Sequence, residues 1–344
     1  MNRIDQKQYH WLRWVVAGAL FAGGLLAGVI IDRSLTGIGK RPAALVEKRE
    51  GGYTFINPLL ECEGGADIIG DWEIRTLRRK IDAYIGDAVK GKRAYQVSVY
   101  FRDLTNGPAL GANTEAQFSP ASLLKVPLMI AYLKMAESRP SLLKEQILYD
   151  HRQDLNTSKH FKSSRSIEQG KRYSIDELIQ MMIVHSDNNA MFLLFNHLDR
   201  EFRDKVYMDL GIIRQDATSD YVMNVEQYAF SFRVLFNASY LNRELSEQAL
   251  RYLAQPDFPY GIFGGVPPGI TVAQKYGERI HEGTDVKELH DCGIVYFPHM
   301  PYLVCVMTKG ADFDVLAGMT KEMSAIIFNE ISGNYSARQG KGRK

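Results

Sequence analysis

A block of helical sequence from Ala121 to about Leu253 separates two groups of strand-like segments, and this order restricts the fold more than any other feature. Before the block, YQVSVYFRDL (95–104) and a short segment near Glu115–Phe118 predict a hairpin, because the first is rich in β-branched and aromatic residues and the turn-forming stretch NGPALGAN separates the two. After Pro267, ITVAQKYG, DCGIVYF and YLVCVMTKG predict three more strands. Only PHMP separates the last two, as in an antiparallel hairpin.

Amphipathic helices are predicted at both ends of this region. One starts at Ile74 and repeats apolar residues at helical spacing, and the other carries apolar residues on one side between Val315 and Ile327. Inside the block, Ser174 and Glu177 form a capping box that opens a helix. Sequential strands with short loops favour an antiparallel sheet. We therefore predict an α+β fold with an antiparallel sheet, terminal helices packed on one face and the helical block as a second lobe.

The run WVVAGALFAGGLLAGVII (14–31) is uncharged and just long enough to span a bilayer. It stays apolar to its end without a small-residue cleavage site, which favours an uncleaved transmembrane anchor over a signal peptide. Basic residues are equally frequent on both sides, so they do not set its orientation. The predicted organisation is a short cytoplasmic tail (1–13), the anchor, a stalk (32–67), a folded domain and a basic disordered tail (333–344).

Composition excludes several classes of function. The chain has 42 Lys and Arg against 40 Asp and Glu, which argues against a dedicated nucleic-acid-binding protein. Its three cysteines, Cys62, Cys292 and Cys305, lack CxxC spacing, and the eight histidines lack an HExxH motif. No dinucleotide or phosphate-binding glycine motif is present. We expect no metal and no cofactor, and the sequence leaves open whether Cys292 and Cys305 pair and whether the chain forms oligomers.

The first candidate for chemistry is the SLLK segment from Ser122 to Lys125, which opens an apolar helix. Residues three apart share a helix face, so the hydroxyl and the amine can meet. A serine becomes a good nucleophile when a base takes its proton, and a lysine is such a base when burial or a second cation lowers its pKa. A second SLLK, from Ser141 to Lys144, follows a proline and is typical of a simple helix start.

Two more motifs complete the candidate site. Ser186-Asp187-Asn188 interrupts two apolar helical stretches, and such a polar run is costly to bury without partners. It indicates a cleft, with an ordinary helix N-cap as the alternative. Lys275, at the end of the strand ITVAQKYG, supplies a second cation, and Gly277 lets a substrate backbone lie close to the strand.

Taken in order, SxxK, SDN and K-x-G on a strand resemble the active-site motifs of class A β-lactamases and penicillin-binding proteins. The flanking segments FSPASLLKVPLMIAYLK, HSDNNAMFLLF and HDCGIVYFP are similar to that family as well. The resemblance covers about residues 68–332. It implies the β-lactamase/transpeptidase-like fold and a serine hydrolase domain over that range.

The resemblance also implies roles for the motif residues. Ser122 would be the nucleophile that accepts the acyl group, with Lys125 as the base for acylation. Ser186 would relay a proton to the leaving nitrogen, and Lys275 would supply electrostatic and carboxylate binding.

Four further residues are implied to contact the substrate. Asn188 would hold a side-chain amide of the substrate, Gly277 would let its backbone approach, and the backbone N–H of Glu278 would complete an oxyanion hole with that of Ser122. Tyr276 stands where the family usually has threonine or serine, so a small hydroxyl is replaced by a phenol.

The water-activating E-x-x-x-N loop of the hydrolytic family members is missing from the sequence. Asp220 and Asn224 have the corresponding D-x-x-x-N spacing, which makes Asp220 a candidate deacylation base. Polar turn chemistry is the alternative for this segment. We therefore expect deacylation to be slow or absent.

The resulting hypothesis is a single-pass protein of a bacterial cell membrane with its catalytic domain outside the cytoplasm. It would form an acyl-serine with a β-lactam or with a D-Ala-D-Ala peptidoglycan stem peptide, with no nucleic acid as partner. A non-catalytic anchored domain that binds cell-wall polymer or a partner protein is the alternative. An esterase that uses the same serine and lysine is a third hypothesis.

Overall fold

The computed structural model describes residue 16 and residues 44–65, 71–105, 107–212 and 220–341. The chain divides into two units, residues 1–45 with 64–66 and residues 46–63 with 67–344. The predicted anchor, 14–31, lies outside the described residues except for Val16. In the described ranges no helix is both long enough and apolar enough to cross a membrane.

From residue 71 onward the described elements follow the predicted order of a helix, two strands, a helical block, three strands and a helix, with two short strands added inside the block. The strands are β1 (Ala44–Arg49), β2 (Leu59–Gly65), β3 (Gln96–Asp103), β4 (Ala109–Ala112), β5 (Gln146–Leu148), β6 (Arg172–Ser174), β7 (Val272–Ile280), β8 (Lys287–Val295) and β9 (Tyr302–Gly310). The helices are α1 (Asp71–Lys90), α2 (Lys125–Ser138), α3 (Ile175–Val184), α4 (Asn188–His197), α5 (Arg200–Asp209), α6 (Val225–Phe236), α7 (Arg243–Leu253), α8 (Gly261–Gly264) and α9 (Phe313–Lys341). Short 3-10 helices span Ala121–Leu124 and Pro140–Lys144.

A five-stranded sheet with the order β4–β3–β9–β8–β7 forms the centre of the second unit, and all its neighbouring strands are antiparallel. The register places Lys275 opposite Cys292, and Cys292 opposite Cys305. Cys292 and Cys305 form a disulfide between β8 and β9. The predicted antiparallel sheet is confirmed, and the question of the cysteine pairing is answered.

The two faces of the sheet carry separate apolar cores. Along β9, Val304 and Val306 belong to the core that also contains apolar residues of α1 and α9. The alternate residues Leu303, Cys305 and Met307 belong to the core of the helical lobe. Successive strand residues point to opposite faces, so the terminal helices cover one face, as predicted, and the lobe covers the other. The capping box at Ser174 and Glu177 also forms.

The predicted position of the first hairpin was wrong. The second strand is β4, inside the stretch taken as turn, and residues 115–118 contribute only an isolated bridge from Phe118 to Met223. Asp103 Oδ1 accepts hydrogen bonds from N and Oγ1 of Thr105, at 2.8 and 2.6 Å, which turns the chain directly after β3. Asn113 then ends β4 with a φ of +53°. The lobe also contains a small two-stranded antiparallel sheet of β5 and β6, which the helical pattern did not predict.

The predicted stalk, 32–67, includes residues that pack on the folded domain. The Glu247 carboxylate on α7 accepts hydrogen bonds from the backbone N–H groups of Thr54, Phe55 and Ile56, at 2.9–3.2 Å. Ile56 is buried in the core of the lobe. Burial of polar backbone requires such partners, so this part of the predicted stalk belongs to the domain.

The predicted disordered tail is helical as far as Lys341, because α9 continues past residue 333. The ring of Tyr335 packs against Phe297 at a centroid distance of 5.6 Å and stacks on His299 at 6.4 Å. These aromatic contacts hold the helix against the loop between β8 and β9, which the tail's polar composition did not indicate.

Candidate active site

Ser122 lies in the 3-10 helix that leads into α2, directly after Ala121 with its φ of +49°. Strand β7 runs against this turn at Gly277. A Cβ atom on Gly277 would lie 3.1 Å from the backbone nitrogen of Ser122 and 3.0 Å from the carbonyl oxygen of Pro120. Contacts this short are tighter than most Cβ contacts and would push the neighbouring backbone away, so glycine lets β7 lie beside the backbone N–H of Ser122.

A cleft of about 780 Å³ opens at this point. Its lining includes Ser122, Asn188, Lys159, Glu278 and Arg279. The helical lobe and the edge strand β7 therefore both contribute polar side chains to one concave site, as expected for a small-molecule or peptide substrate.

Lys125, one helical turn after Ser122, is fully buried. Its Nζ donates hydrogen bonds to the carbonyl oxygen of Ser186 at 2.6 Å, to Oδ1 of Asn188 at 2.7 Å and to Oγ of Ser186 at 3.1 Å. Burial, and then the positive charges of Lys275 and Lys159, hold the pKa of Lys125 well below its usual value. The lowered pKa favours the neutral amine, which can accept a proton.

The SDN segment serves both as a helix N-cap and as part of the cleft, the two alternatives that its sequence left open. Asp187 caps α4, since its Oδ1 accepts from the backbone nitrogens of Asn189 and Ala190 at 2.7 and 3.0 Å. Ser186 and Asn188 instead turn toward Lys125. Ser186 has a φ of +51° and is buried, and an uncommon conformation of this kind often occurs at functional sites.

Lys275 approaches Ser186 from β7. Its Nζ donates to Oγ of Ser186 at 2.9 Å and to the carbonyl oxygen of Tyr276 at 3.0 Å. Burial, with the charge of Lys159 as the next cause, lowers the pKa of Lys275 to about 7. The second cation that the sequence predicted therefore lies at the same serine hydroxyl as Lys125.

Lys159, in the loop between β5 and β6, is a third lysine at this site and was missed. Its Nζ donates to Oγ of Ser163 at 2.6 Å and to the carbonyl oxygen of Ser186 at 3.2 Å. Burial lowers its pKa. It lies in the polar stretch SKHFKSS, which has no motif spacing, so only the fold identifies it.

Asn188 and Glu278 line the cleft, but their side chains also hold the protein together. Nδ2 of Asn188 donates to the carbonyl oxygen of Leu155 at 3.0 Å. The Glu278 carboxylate accepts from the backbone nitrogens of His160 and Phe161 at 2.8 and 3.2 Å. Glu278 therefore fixes the loop that carries Lys159 and places a negative charge at the cleft.

The side chain of Tyr276, a predicted substrate contact, is packed inside the protein. The residue is only 5% exposed, and its ring stacks on that of Phe258 at a centroid distance of 3.9 Å. Its hydroxyl donates to the carbonyl oxygen of Phe161 at 3.5 Å. The phenol does not line the cleft in the part of the chain that the structure describes.

Asp220 is not brought to Ser122. Its Oδ2 accepts from Nη2 of Arg279 at 2.6 Å, and its side chain is 71% exposed. Arg279 also donates to Oγ of Ser119 at 3.1 Å. The preceding residues, 213–219, lie outside the described ranges. The pair neutralises Arg279 at the rim of the cleft.

No group of three or more His, Cys, Asp and Glu residues within the described ranges could hold a metal ion. The site offers a serine on a tight turn and a second serine, Ser186, in contact with three buried lysines whose pKa values are lowered. This combination suits acyl transfer by a nucleophilic serine with an amine as the base.

Solved structures share this fold. The chain is similar to a PBP-A mutant in an acyl-enzyme complex with penicillin G, with 17% identity and a TM-score of 0.63 over 76% of this chain and 97% of that one. It is similar to the class A beta-lactamase from Mycobacterium abscessus, with 21% identity and a TM-score of 0.61 over 73% and 98%. A beta-lactamase from Chitinophaga pinensis has 18% identity and a TM-score of 0.64 over 74% and 98%.

No curated protein matches the sequence significantly. The model of the beta-lactamase enzyme family, in contrast, matches residues 76–333. That range contains the sheet, the helical lobe and every residue of the candidate site. The predicted α+β fold of the β-lactamase/transpeptidase type is confirmed, and the chain belongs to the beta-lactamase enzyme family of serine hydrolases.

Proposed function

We propose that this protein is a membrane-anchored serine hydrolase in which Ser122 is acylated by a β-lactam or by a D-Ala-D-Ala-type stem peptide. One observation carries the proposal: Nζ of Lys125 and Nζ of Lys275 both donate to Oγ of Ser186, at 3.1 and 2.9 Å. Lys125, the first amine of this chain of amine, hydroxyl and amine, follows Ser122 by one helical turn, and the chain provides a route for a proton.

The acylation step follows from this arrangement. The neutral amine of Lys125 takes the proton of Ser122 as its Oγ forms a bond to the carbonyl carbon of the substrate. The backbone N–H groups of Ser122 and Glu278 hold the resulting oxyanion. When the C–N bond breaks, Ser186 gives its proton to the leaving nitrogen and regains one from Lys125, so Lys125 ends the step uncharged.

Deacylation is proposed to be slow or absent. Asp220, the one candidate base from the sequence, is bound to Arg279 at 2.6 Å instead of facing Ser122. A general base must reach the water that it activates. The acyl-enzyme is therefore proposed to persist, as in a penicillin-binding protein.

A location outside the cytoplasm, with residues 14–31 as a single-pass anchor in a bacterial membrane, belongs to the same proposal. The apolar run supports the anchor. The disulfide between Cys292 and Cys305 supports an oxidising compartment, because cytosolic thiols are kept reduced.

A second candidate function is that of an esterase. The Glu278 carboxylate lines the cleft, and the small hydroxyl that the family usually offers to a substrate carboxylate is replaced by the buried Tyr276. A negative charge at the cleft disfavours anionic substrates and favours neutral esters.

The test is an intact-mass time course of the full-length chain with benzylpenicillin. Wild type is expected to gain the mass of one opened penicillin and to keep it, whereas Ser122→Ala gains none. Ser141→Ala is the matched control, because it removes the serine of the second SLLK, which is exposed. Rapid return to the free mass with accumulation of penicilloate would overturn slow deacylation. With no adduct, turnover of an ester panel would assign the esterase, and its absence would leave the non-catalytic wall-binding domain.

A further inference from the structure

We propose that Lys159 is a positioning residue for acylation. Together with Lys125 it donates a hydrogen bond to the carbonyl oxygen of Ser186, and it keeps a positive charge beside Lys125 and Lys275. This inference rests on the proposed function of Ser122 and adds a residue that lies outside the three sequence motifs.

The geometry converges on one serine. Nζ of Lys159 and Nζ of Lys125 donate to the same carbonyl oxygen of Ser186, at 3.2 and 2.6 Å. Oγ of Ser186 accepts from Lys125 and Lys275. Three amines therefore contact one residue. Amines this close in a buried site cannot all stay protonated, because their positive charges would repel one another.

Lys159 is the amine placed to keep its proton. It lines the cleft and is 8% exposed, whereas Lys125 is 0% and Lys275 is 2% exposed. Burial lowers the pKa of Lys159, and the negative charges of Glu278, Asp187 and Asp257 oppose that effect. Lys125 and Lys275 are the deeper groups, so they lose their charge first.

Several neighbouring charges enter this balance. The pKa of Lys125 responds to Lys275, Lys159, Asp187 and Glu278, and that of Lys275 responds to Lys159, Asp291 and Glu278. The pKa of Lys159 responds to Glu278, Asp187, Asp257 and Lys162. The charge of Lys159 lowers the pKa of both other lysines. Loss of the Lys159 charge therefore raises the pKa of Lys125, the proton acceptor, and that of Lys275 together.

Lys159 also supports the uncommon backbone of the SDN turn. Ser163, the acceptor of Lys159, donates in turn to the carbonyl oxygen of His185. Ser186 follows with its φ of +51°, a conformation that persists only where surrounding contacts hold it. Lys159 thus has both a positional and an electrostatic effect, and the experiment must separate them.

The experiment titrates the full-length chain, labelled with carbon-13 at the lysine ε-carbons, by NMR, and measures acylation by benzylpenicillin over the same pH range. Lys159→Gln keeps a donor for the Ser186 carbonyl but removes the charge, and Lys159→Arg keeps the charge. Lys162→Gln is the matched control, because it removes a charge from the same loop at an exposed position.

We expect Lys159→Gln to move the titration of Lys125 and the acid limb of acylation upward by about one pH unit, as for loss of a close charge. Lys159→Arg and Lys162→Gln leave both at the wild-type pH. A uniform loss of rate without a shift of the limb would mean a structural role only and would overturn the proposal.

The titration of the wild type tests the inference even if no variant folds. Lys159 must stay protonated in the pH range in which Lys125 and Lys275 are neutral. The opposite order of titration would refute the inference. Absence of any acylation of the wild type, with the expected order of titration, would instead refute the proposed function and leave the charge arrangement standing.

Discussion

Nζ of Lys275 lies 2.9 Å from Oγ of Ser186, although the two residues are 89 positions apart in the sequence. The contact joins the edge strand β7 to the turn before α4, and so joins the sheet to the helical lobe. Because both residues are buried, the interaction is little screened by solvent. The catalytic chemistry that we propose depends on this junction.

Burial of Lys275 predicts a specific dependence of stability on pH. Its pKa in the folded protein is about 7, whereas an unfolded lysine titrates near 10.4. Between these values the unfolded chain binds the extra proton, so the unfavourable effect of Lys275 on stability is complete below about pH 7 and declines as the pH rises.

Lys275→Met is therefore expected to be more stable than wild type at pH 7 by about 1–3 kcal/mol, as for the removal of buried charge. The advantage should shrink by up to about 1.4 kcal/mol per pH unit toward pH 9. Urea denaturation at several pH values measures this, with Lys162→Met as an exposed control. A difference that does not change with pH would contradict a lowered pKa.

Gly277→Ala is expected to impair acylation more than folding. The new Cβ would lie 3.0–3.1 Å from Pro120 O, Ser122 N and Leu123 N, and this overpacking costs about 1–3 kcal/mol. Relief requires β7 to move away from Ser122, so the acylation rate should fall at least about tenfold, as for loss of one oxyanion donor.

Gly86→Ala is the matched control for this change, because a Cβ there meets nothing within 4 Å in helix α1. It should raise stability by about 0.5–1 kcal/mol and leave acylation unchanged. Stopped-flow acylation and thermal melting distinguish the two variants. Wild-type acylation by Gly277→Ala would show that β7 does not shape the oxyanion site.

Asp220→Asn is expected to leave the release of the penicilloyl group within about twofold of wild type, since an exposed ion pair has a small effect. Asp220 faces Arg279, so its carboxylate is not available to activate water at Ser122. Mass spectrometry of the pre-formed acyl-enzyme follows the release. Release slowed by an order of magnitude would restore Asp220 as the deacylation base.

Glu247→Gln tests whether residues 53–56 belong to the domain. The carboxylate accepts backbone hydrogen bonds from Thr54, Phe55 and Ile56, and an amide in its place leaves part of this set unsatisfied. We expect a loss of about 1–3 kcal/mol and faster hydrogen exchange in this segment. Glu244→Gln, an exposed change on the same helix, should do neither. Equal exchange in both variants would make the segment a stalk after all.

The sequence predicted the sheet, the two terminal helices and the positions of the motifs, because these depend on short-range patterns. Apolar periodicity identified α1 and α9, and spacing alone brought Ser122 within a helical turn of Lys125. The first hairpin was misplaced because a side-chain contact, from Asp103 to Thr105, decides where the chain turns. Backbone partners such as Glu247 are distant in sequence, so the local pattern did not reveal that residues 54–56 pack on the domain.

The order of the SxxK, SDN and K-x-G motifs by itself determined the family, the likeness of the fold and the set of residues to bring together. Only the tertiary structure decided the protonation state of the lysines in the site. The charge of a lysine depends on burial and on neighbours through space, and Lys125, Lys159 and Lys275 come from a helix, a loop and a strand. Folding also turned Tyr276 onto Phe258 and paired Asp220 with Arg279, because packing and charge compensation act between segments that no local pattern connects.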